Sequence, residues 1–272
     1  ILMEALKDIE RKKLLDKICE VHSCQLWESP VVIAGKLKYL QVCPECEKEE
    51  IKRIENKLNN ESAINSKLAK TFEVFNRFSL FPTELIGKNL DNFSTDNQSA
   101  EQGLNFSKRM LRDYVKGETG NVIITGPPGV GKSHLSIALA SSLNNKFKDI
   151  GTPKSIIFVS VTRLFTEIEN SFGGKGDFTE SLAVEMLSNV DYLFLDDLGK
   201  ESSMSNNLKQ ANEWRQRVLF KILDNRQTTF INTNLSSSDI KKIYNSALAD
   251  RIFKGASKHI FKFPNGMESR RY

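Results

Sequence analysis

No apolar run in this 272-residue chain approaches the ~20 residues that a membrane-spanning helix needs, so a soluble protein is expected. Internal repeats and low-complexity tracts are also missing, which excludes repeat architectures and tails of biased composition. Charge of one sign is scarce: 39 Lys and Arg against 34 Asp and Glu leave a net +5. That balance is compatible with a nucleic-acid partner and too mild to establish one. Cysteine is limited to four residues, all before position 47, and histidine to three. With no signal peptide ahead of the cysteines, a secreted disulfide framework gives way to a cytoplasmic protein whose thiols are free for a metal.

Gly126-Pro127-Pro128-Gly129-Val130-Gly131-Lys132-Ser133 fits the phosphate-loop pattern G-x-x-x-x-G-K-[ST]. Asn121–Thr125 before it reads as a buried parallel strand. Leu135, Leu139 and Leu143 after it have helical spacing, so the loop lies between a strand and a helix N-terminus. Glycines there let backbone N–H groups approach phosphate, and the helix end adds partial positive charge. Lys132 is expected on the β- and γ-phosphates of ATP, and the Ser133 hydroxyl on Mg²⁺. Tyr192–Leu195 is a second apolar run, ending in Asp196 and Asp197 at the edge where parallel sheets bind ligands. Asp196 is read as the Mg²⁺ carboxylate and Asp197 as the group that orients or deprotonates the attacking water. A third run, Thr229–Thr233, leads to Asn234, expected to sense the γ-phosphate. These runs predict an α/β fold: a three-layer αβα P-loop domain on a parallel sheet.

The first quarter has a different chemistry. Cys19, His22 and Cys24 are followed by Cys43-Pro44-Glu45-Cys46, so five candidates compete for four places on a tetrahedral Zn²⁺. Val31–Leu40, with Gly35 as its turn, reads as a hairpin between the pairs. Leu6, Ile9, Leu14 and Ile18 form a helical stripe in the leading segment, and Ile51, Ile54, Leu58, Ile64 and Leu68 another after the cysteines, fraying around Asn59-Asn60. Pro82 and a change of periodicity mark a boundary near residue 76. The expected domains are therefore 1–75, a zinc-binding module with a helical linker, and 76–272, the ATPase domain. In the latter, the glycine loop at 173–177 carries Lys175 and is a candidate for DNA contact. Arg226, at the end of a predicted helix over 208–225, is a candidate contact to a neighbouring subunit.

In order and content the motifs resemble the AAA+ ATPases of the DnaC/DnaI-type helicase loaders. Gly-Lys-Ser-His-Leu at 131–135, Leu-Asp-Asp-Leu-Gly-Lys-Glu at 195–201 and Asn-Thr-Asn-Leu-Ser at 232–236 carry the likeness, over about residues 72–272. The resemblance implies a cytoplasmic ATPase that self-assembles into a ring or spiral and places a hexameric replicative helicase on single-stranded DNA. It puts His134 with the nucleotide-binding loop and makes Arg251, in Ala-Leu-Ala-Asp-Arg-Ile, an arginine finger acting on a neighbour's γ-phosphate. It also makes Arg270, or Arg271 beside it, a second sensor arginine, in a stretch after the strand-like His259–Phe263 expected to be too short for a full helical lid. Cys-x-x-His followed by Cys-Pro-x-Cys resembles the zinc modules of such loaders. That implies Cys19, His22, Cys43 and Cys46 as ligands, with Cys24 the reserve for His22, and the amino-terminal part as the helicase-binding end. Two alternatives stand beside it: a transposition helper ATPase of the IstB type, which acts on duplex DNA, and an adaptor with little turnover, favoured by Asp197 where most such ATPases carry glutamate.

Overall fold

The computed structural model describes residues 13–33, 36–173, 176–200, 211–267 and 269, with backbone alone at 32, 33, 36, 37 and 56–70. The chain divides into two compact units, Ile1–Ser66 and Lys67–Tyr272.

In the first unit, β1 (Lys13–Ile18), β2 (Gln25–Ile33) and β3 (Lys36–Val42) form an antiparallel sheet in that order. The β2–β3 hairpin pairs Val31 with Lys38 and Ile33 with Lys36, and Gly35, the expected turn, lies outside the described residues. The helix expected through Ile18 is replaced over Lys13–Ile18 by a strand, and the earlier residues of that stripe lie outside the described ones. A separation of four puts Leu14 and Ile18 on one side of a helix and equally on one face of a strand. Pairing of Leu14 with Trp27 and of Ile18 with Gln25 decides for the strand. Next, α1 runs from Pro44 to Phe78 without the expected break at Asn59-Asn60. Pro44 opens it, because its fixed φ suits a first helical turn and its missing N–H is not needed there.

The second unit is built on a five-stranded parallel sheet, in the order β5 (Ile156–Ser160), β6 (Tyr192–Leu198), β7 (Thr229–Thr233), β4 (Val122–Thr125), β8 (Ile260–Lys262). β4 to β7 are apolar runs, as a sheet covered on both faces requires. Period-two alternation sorts their side chains into two cores. Ile123, Ile157, Leu193, Leu195 and Ile231 pack on one face with α4 (Val161–Asn170), α5 (Glu180–Asn189), α6 (Glu213–Leu223), α7 (Ser237–Ile243) and α8 (Ser246–Phe253). Val122, Ile124, Phe158, Phe194 and Phe230 pack on the other with α2 (Gln98–Val115) and α3 (Lys132–Asp149). The second core is aromatic, with Phe194 and Phe230 stacked at 4.2 Å. Leu80 bridges to Val159 and covers the outer edge of β5. The result is the expected three-layer αβα arrangement.

Arg226 faces inward. It is 4% exposed and donates to the carbonyls of Leu187, Ser188, Val190, Asp191 and Thr228 at 2.7–3.3 Å, and to Thr229 Oγ1 at 3.1 Å. It therefore ties the end of α5 to the start of β7, and the expectation that it reaches a neighbouring subunit is corrected. Burial lowers its guanidinium to about 10, partly offset by Asp191, so it stays charged at neutral pH. Arg226→Met removes every donor and leaves buried carbonyls unpaired, which should cost about 3 kcal/mol or more in urea unfolding. A loss below about 1 kcal/mol would contradict this anchoring role.

Candidate functional site

The sheet register sets the site. Thr125 lies opposite Thr233 and Ser160 opposite Asp196, so the C-terminal tips of β4, β7 and β6 stand side by side. Thr125 Oγ1 donates to Leu235 O at 2.7 Å and Thr233 Oγ1 to Leu198 O at 2.7 Å, tying β4 to the loop after β7 and β7 to the end of β6. Between β4 and α3 runs the loop Gly126–Gly131. Gly126, Gly129 and Gly131 all have positive φ, +148°, +83° and +98°, which the sharp reversal requires. A Cβ on Gly126 would stand 2.5 Å from Phe263 Cβ, and one on Gly129 would collide with Ser269 Oγ. Gly131 caps α3 with no side-chain bond, leaving first-turn N–H groups directed at the loop.

Four side chains converge here. Lys132 is 5% exposed, and its Nζ donates to Gly126 O at 2.9 Å and Pro127 O at 2.7 Å, which holds the ammonium inside the loop. Asp196, 3% exposed, is hydrogen-bonded by Ser133 and by Asn232 Nδ2, the latter at 2.8 Å. Asn232 also donates to Lys132 O at 3.3 Å. Burial, and next the charge of Asp197, push the Asp196 carboxyl up to about 6, against Asn232, Ser133 and Lys132. Asp197 has a left-handed φ of +60° at the register irregularity between Leu195 and Leu198, and its Oδ2 lies 3.1 Å from Lys200 Nζ. A non-glycine residue held in that region is strained, and such strain concentrates at functional sites. A serine hydroxyl beside a buried carboxylate, next to a cationic phosphate cradle, is a donor set that fits Mg²⁺.

The remaining residues read from the sequence are more scattered. Asn234 is exposed just beyond β7. His134 turns its ring to the Asn89–Phe93 turn, with Nε2 3.0 Å from Asn89 O and 2.9 Å from Asn92 Oδ1, and its edge toward Phe93. A carbonyl only accepts, so that nitrogen carries the proton. Arg251, on α8, pairs through Nε with Asp224 at 2.8 Å and lies over Phe220. Asn121 holds the backbone beneath it, donating to Arg251 O and Ile252 O while accepting from Thr229 N. Lys175, Arg270 and Arg271 lie outside the described residues. Asn232 was missed, although it stands within β7 only two residues before Asn234.

In the first unit, the ligand atoms of Cys19, His22, Cys43 and Cys46 lie within 4.8 Å of one another. Zinc bonds of about 2.3 Å to sulfur and 2.0 Å to nitrogen, at tetrahedral angles, imply S···S near 3.8 Å and S···N near 3.5 Å. Cys19 and Cys46 are 3.8 Å apart, and His22 Nδ1 stands 3.9, 3.6 and 3.3 Å from Cys19, Cys43 and Cys46. The residues fit zinc. Cys43 sits just before α1, its sulfur accepting from Cys46 N–H at 3.4 Å, which is how Cys-Pro-x-Cys turns both thiols to one point. Cys24 approaches Cys43 at 3.2 Å. Glu49 Oε1, 3.3 Å from His22 Nε2, orients the ring as carboxylates do behind metal-bound histidines. Hydrogen bonds to Cys19 first, then Cys43, raise His22 to about 9.

A family model described as IstB-like ATP binding protein matches residues 39–271. The replicative helicase loader DnaC of Buchnera aphidicola subsp. Acyrthosiphon pisum is 26% identical over 171 residues, 61% of this chain and 63% of that protein. The chain thus spans less than two thirds of that relative's length. DnaC of Escherichia coli (strain K12) is 26% identical over 196 residues, 69% of this chain and 71% of that protein. Among solved structures, the DnaC helicase loader superposes with a TM-score of 0.54 at 20% identity, covering 67% of this chain and all (100%) of that one. DnaI gives 0.50 at 22% identity, covering 70% and 94%. Both structures share the fold.

Metal analysis of the freshly reduced chain should find about one equivalent of zinc, lost in Cys43→Ser. Glu49→Gln should keep the metal but weaken its binding roughly 10-fold or more against a competing chelator. Zinc-free reduced protein would contradict the cluster assignment.

Proposed function

Because the chain belongs to the family of IstB-like ATP-binding proteins, we propose that it is an ATP-dependent loader that places a hexameric replicative helicase on single-stranded DNA. The observation that carries this is the convergence of Lys132, Ser133 and Asp196 from the β4 and β6 tips that flank β7, in a chain whose relatives are named replicative helicase loaders. In this reading residues 1–75 form the zinc-bearing, helicase-binding part and 76–272 the ATPase. Among the described residues, no helix is long and apolar enough to cross a membrane.

The nucleotide's phosphates lie over the loop from Gly126 to Gly131, held by backbone N–H groups and the N-terminus of α3. Lys132 exchanges its two carbonyl partners for the β- and γ-phosphates. Ser133 and Asp196 hold Mg²⁺, which when bound neutralises charge developing on the phosphate oxygens. Asp197 orients the attacking water, and a carboxylate paired with Lys200 must first be released from it. Asn234 senses the γ-phosphate at the entry to α7. Arg251 completes the site in trans: on assembly into a ring or spiral it leaves Asp224 for a neighbour's γ-phosphate, where a well-placed finger contributes ~10³ to 10⁵ in rate. Arg270 is the second sensor. The description of the matched family favours a second reading, a transposition helper acting on duplex DNA with a transposase.

A closed circle of single-stranded DNA separates the two, because a helicase ring enters it only if the ring is opened. With ATP, the chain should leave a replicative helicase stably on such circles. Lys132→Ala should bind ATP at least ~10-fold more weakly, having lost a charge-assisted phosphate contact, and fail. Arg251→Ala should bind ATP and also fail, and a mixture of the two variants should recover part of the loading. ATP-dependent retention on duplex DNA without any helicase would favour the transposition reading and contradict the loader.

A further inference from the structure

Asn232 is the one polar side chain of β7 that reaches both nucleotide motifs. Its neighbours Phe230 and Ile231 fill the two cores, while its own amide, 1% exposed, lies between the P-loop helix and the tip of β6. Both amide protons are used, one on Asp196 Oδ1 at 2.8 Å and one on Lys132 O at 3.3 Å. Turning the amide over would set its oxygen against that carboxylate and that carbonyl, so the partners fix its orientation.

The other half of the amide is unsatisfied. Asn232 Oδ1 is buried without a hydrogen-bond partner, one of two such side-chain atoms among the described residues. The second, Asn144 Oδ1, belongs to a side chain that bonds Phe72 O on α1 and has no part in the loop. A buried amide oxygen left unpaired costs free energy, and a fold that needed only a rivet between β7 and β6 would be served by a smaller group. Here the orphaned acceptor belongs to the same amide that bonds Asp196, a carboxylate buried with a second carboxylate next to it in the chain. A hydrated divalent cation relieves both at once, through its charge for the carboxylate and a water O–H for the amide oxygen.

We propose that Asn232 is a positioning residue for the metal. Through Nδ2 it aims the Asp196 carboxylate at Mg²⁺, and through Oδ1 it accepts a hydrogen bond from the water the ion carries. The occupied metal is thereby joined to β7, the strand that leads into Asn234. This rests on the nucleotide reading of the site.

The test is Mg²⁺ dependence of nucleotide binding by the full chain, read with a fluorescent ATP analogue. Binding is titrated with MgCl2 and also measured in EDTA. Asn232→Leu keeps the γ-branched shape and removes both polar ends, and Asn232→Thr keeps a donor and loses the amide oxygen. In Asn232→Leu the half-saturating Mg²⁺ concentration should rise about tenfold, the order expected for losing a hydrogen bond to a charged group, with EDTA binding unchanged. Asn232→Thr should show a smaller rise of about threefold, and it decides the matter if the leucine variant does not fold. Wild-type Mg²⁺ dependence in a folded variant would overturn the proposal, as would equal weakening with and without Mg²⁺, which marks a purely structural residue. Failure of the wild type to bind nucleotide at all would bring down the reading of the site itself.

Discussion

A carboxylate enclosed at the tip of β6, with a second carboxylate next to it in the chain, is the constraint around which this site is arranged. Asp196 is 3% exposed and held up at about 6 mainly by its burial, so keeping it ionised costs free energy at neutral pH. Because the folded value lies above the ordinary carboxylate range, its contribution to stability is present at acid pH and lost as pH rises through about 6. The groups around it reduce that cost without removing it: a hydroxyl from Ser133, an amide from Asn232 and the Lys132 charge. In the proposed reading, a bound cation would offset the remainder.

The geometry that presents Asp196 is likewise held under tension. Asp197 takes a left-handed conformation where the β6 register slips, and Gly199 follows at φ +94°, where a Cβ would run into Leu235 of the next loop. Movement at one tip therefore presses on its neighbour. A parallel linkage lies at the other end of the strands. Gly120 and Gly255 approach so closely that a Cβ on Gly120 would stand 2.7 Å from Gly255 O, and Asn121 fastens the end of α8 to the start of β4. The helix carrying Arg251 is thus hooked to the strand that leads into the phosphate loop. In the proposed assembly, that hook would join an Arg251 finger offered to a neighbour with the nucleotide held at home.

Much of this was legible from the order of residues, for physical reasons that differ by element. Strands β4 to β7 announce themselves because a sheet covered on both faces demands continuous apolar runs, and the phosphate loop because its glycines and lysine have few other uses. Cys-Pro-x-Cys is equally readable, since proline at a helix start and two thiols three apart leave one geometry. Leu14 and Ile18 were not, because their spacing satisfies helix and strand alike and only pairing with β2 decides. Arg226 read as a contact to a neighbouring subunit because nothing in a sequence counts the carbonyls that will surround it. Asn232 and Glu49 escaped for a related reason: each acts through another side chain, and such partnerships across 36 and 27 positions exist only after folding. His134 belonged to a recognisable motif, yet its ring serves the turn at Asn89–Phe93.

The central claim is that Mg²⁺ with ATP completes a site built around a reluctant carboxylate. Titration calorimetry of Mg²⁺·ATP into the chain, repeated in buffers of different ionisation enthalpy at pH 6 and pH 8, tests it most directly. Binding that forces Asp196 to ionise should release roughly half a proton at pH 6, where the free group is about half protonated, and almost none at pH 8. Heats that do not depend on the buffer at either pH, or the absence of any binding heat, would contradict the account.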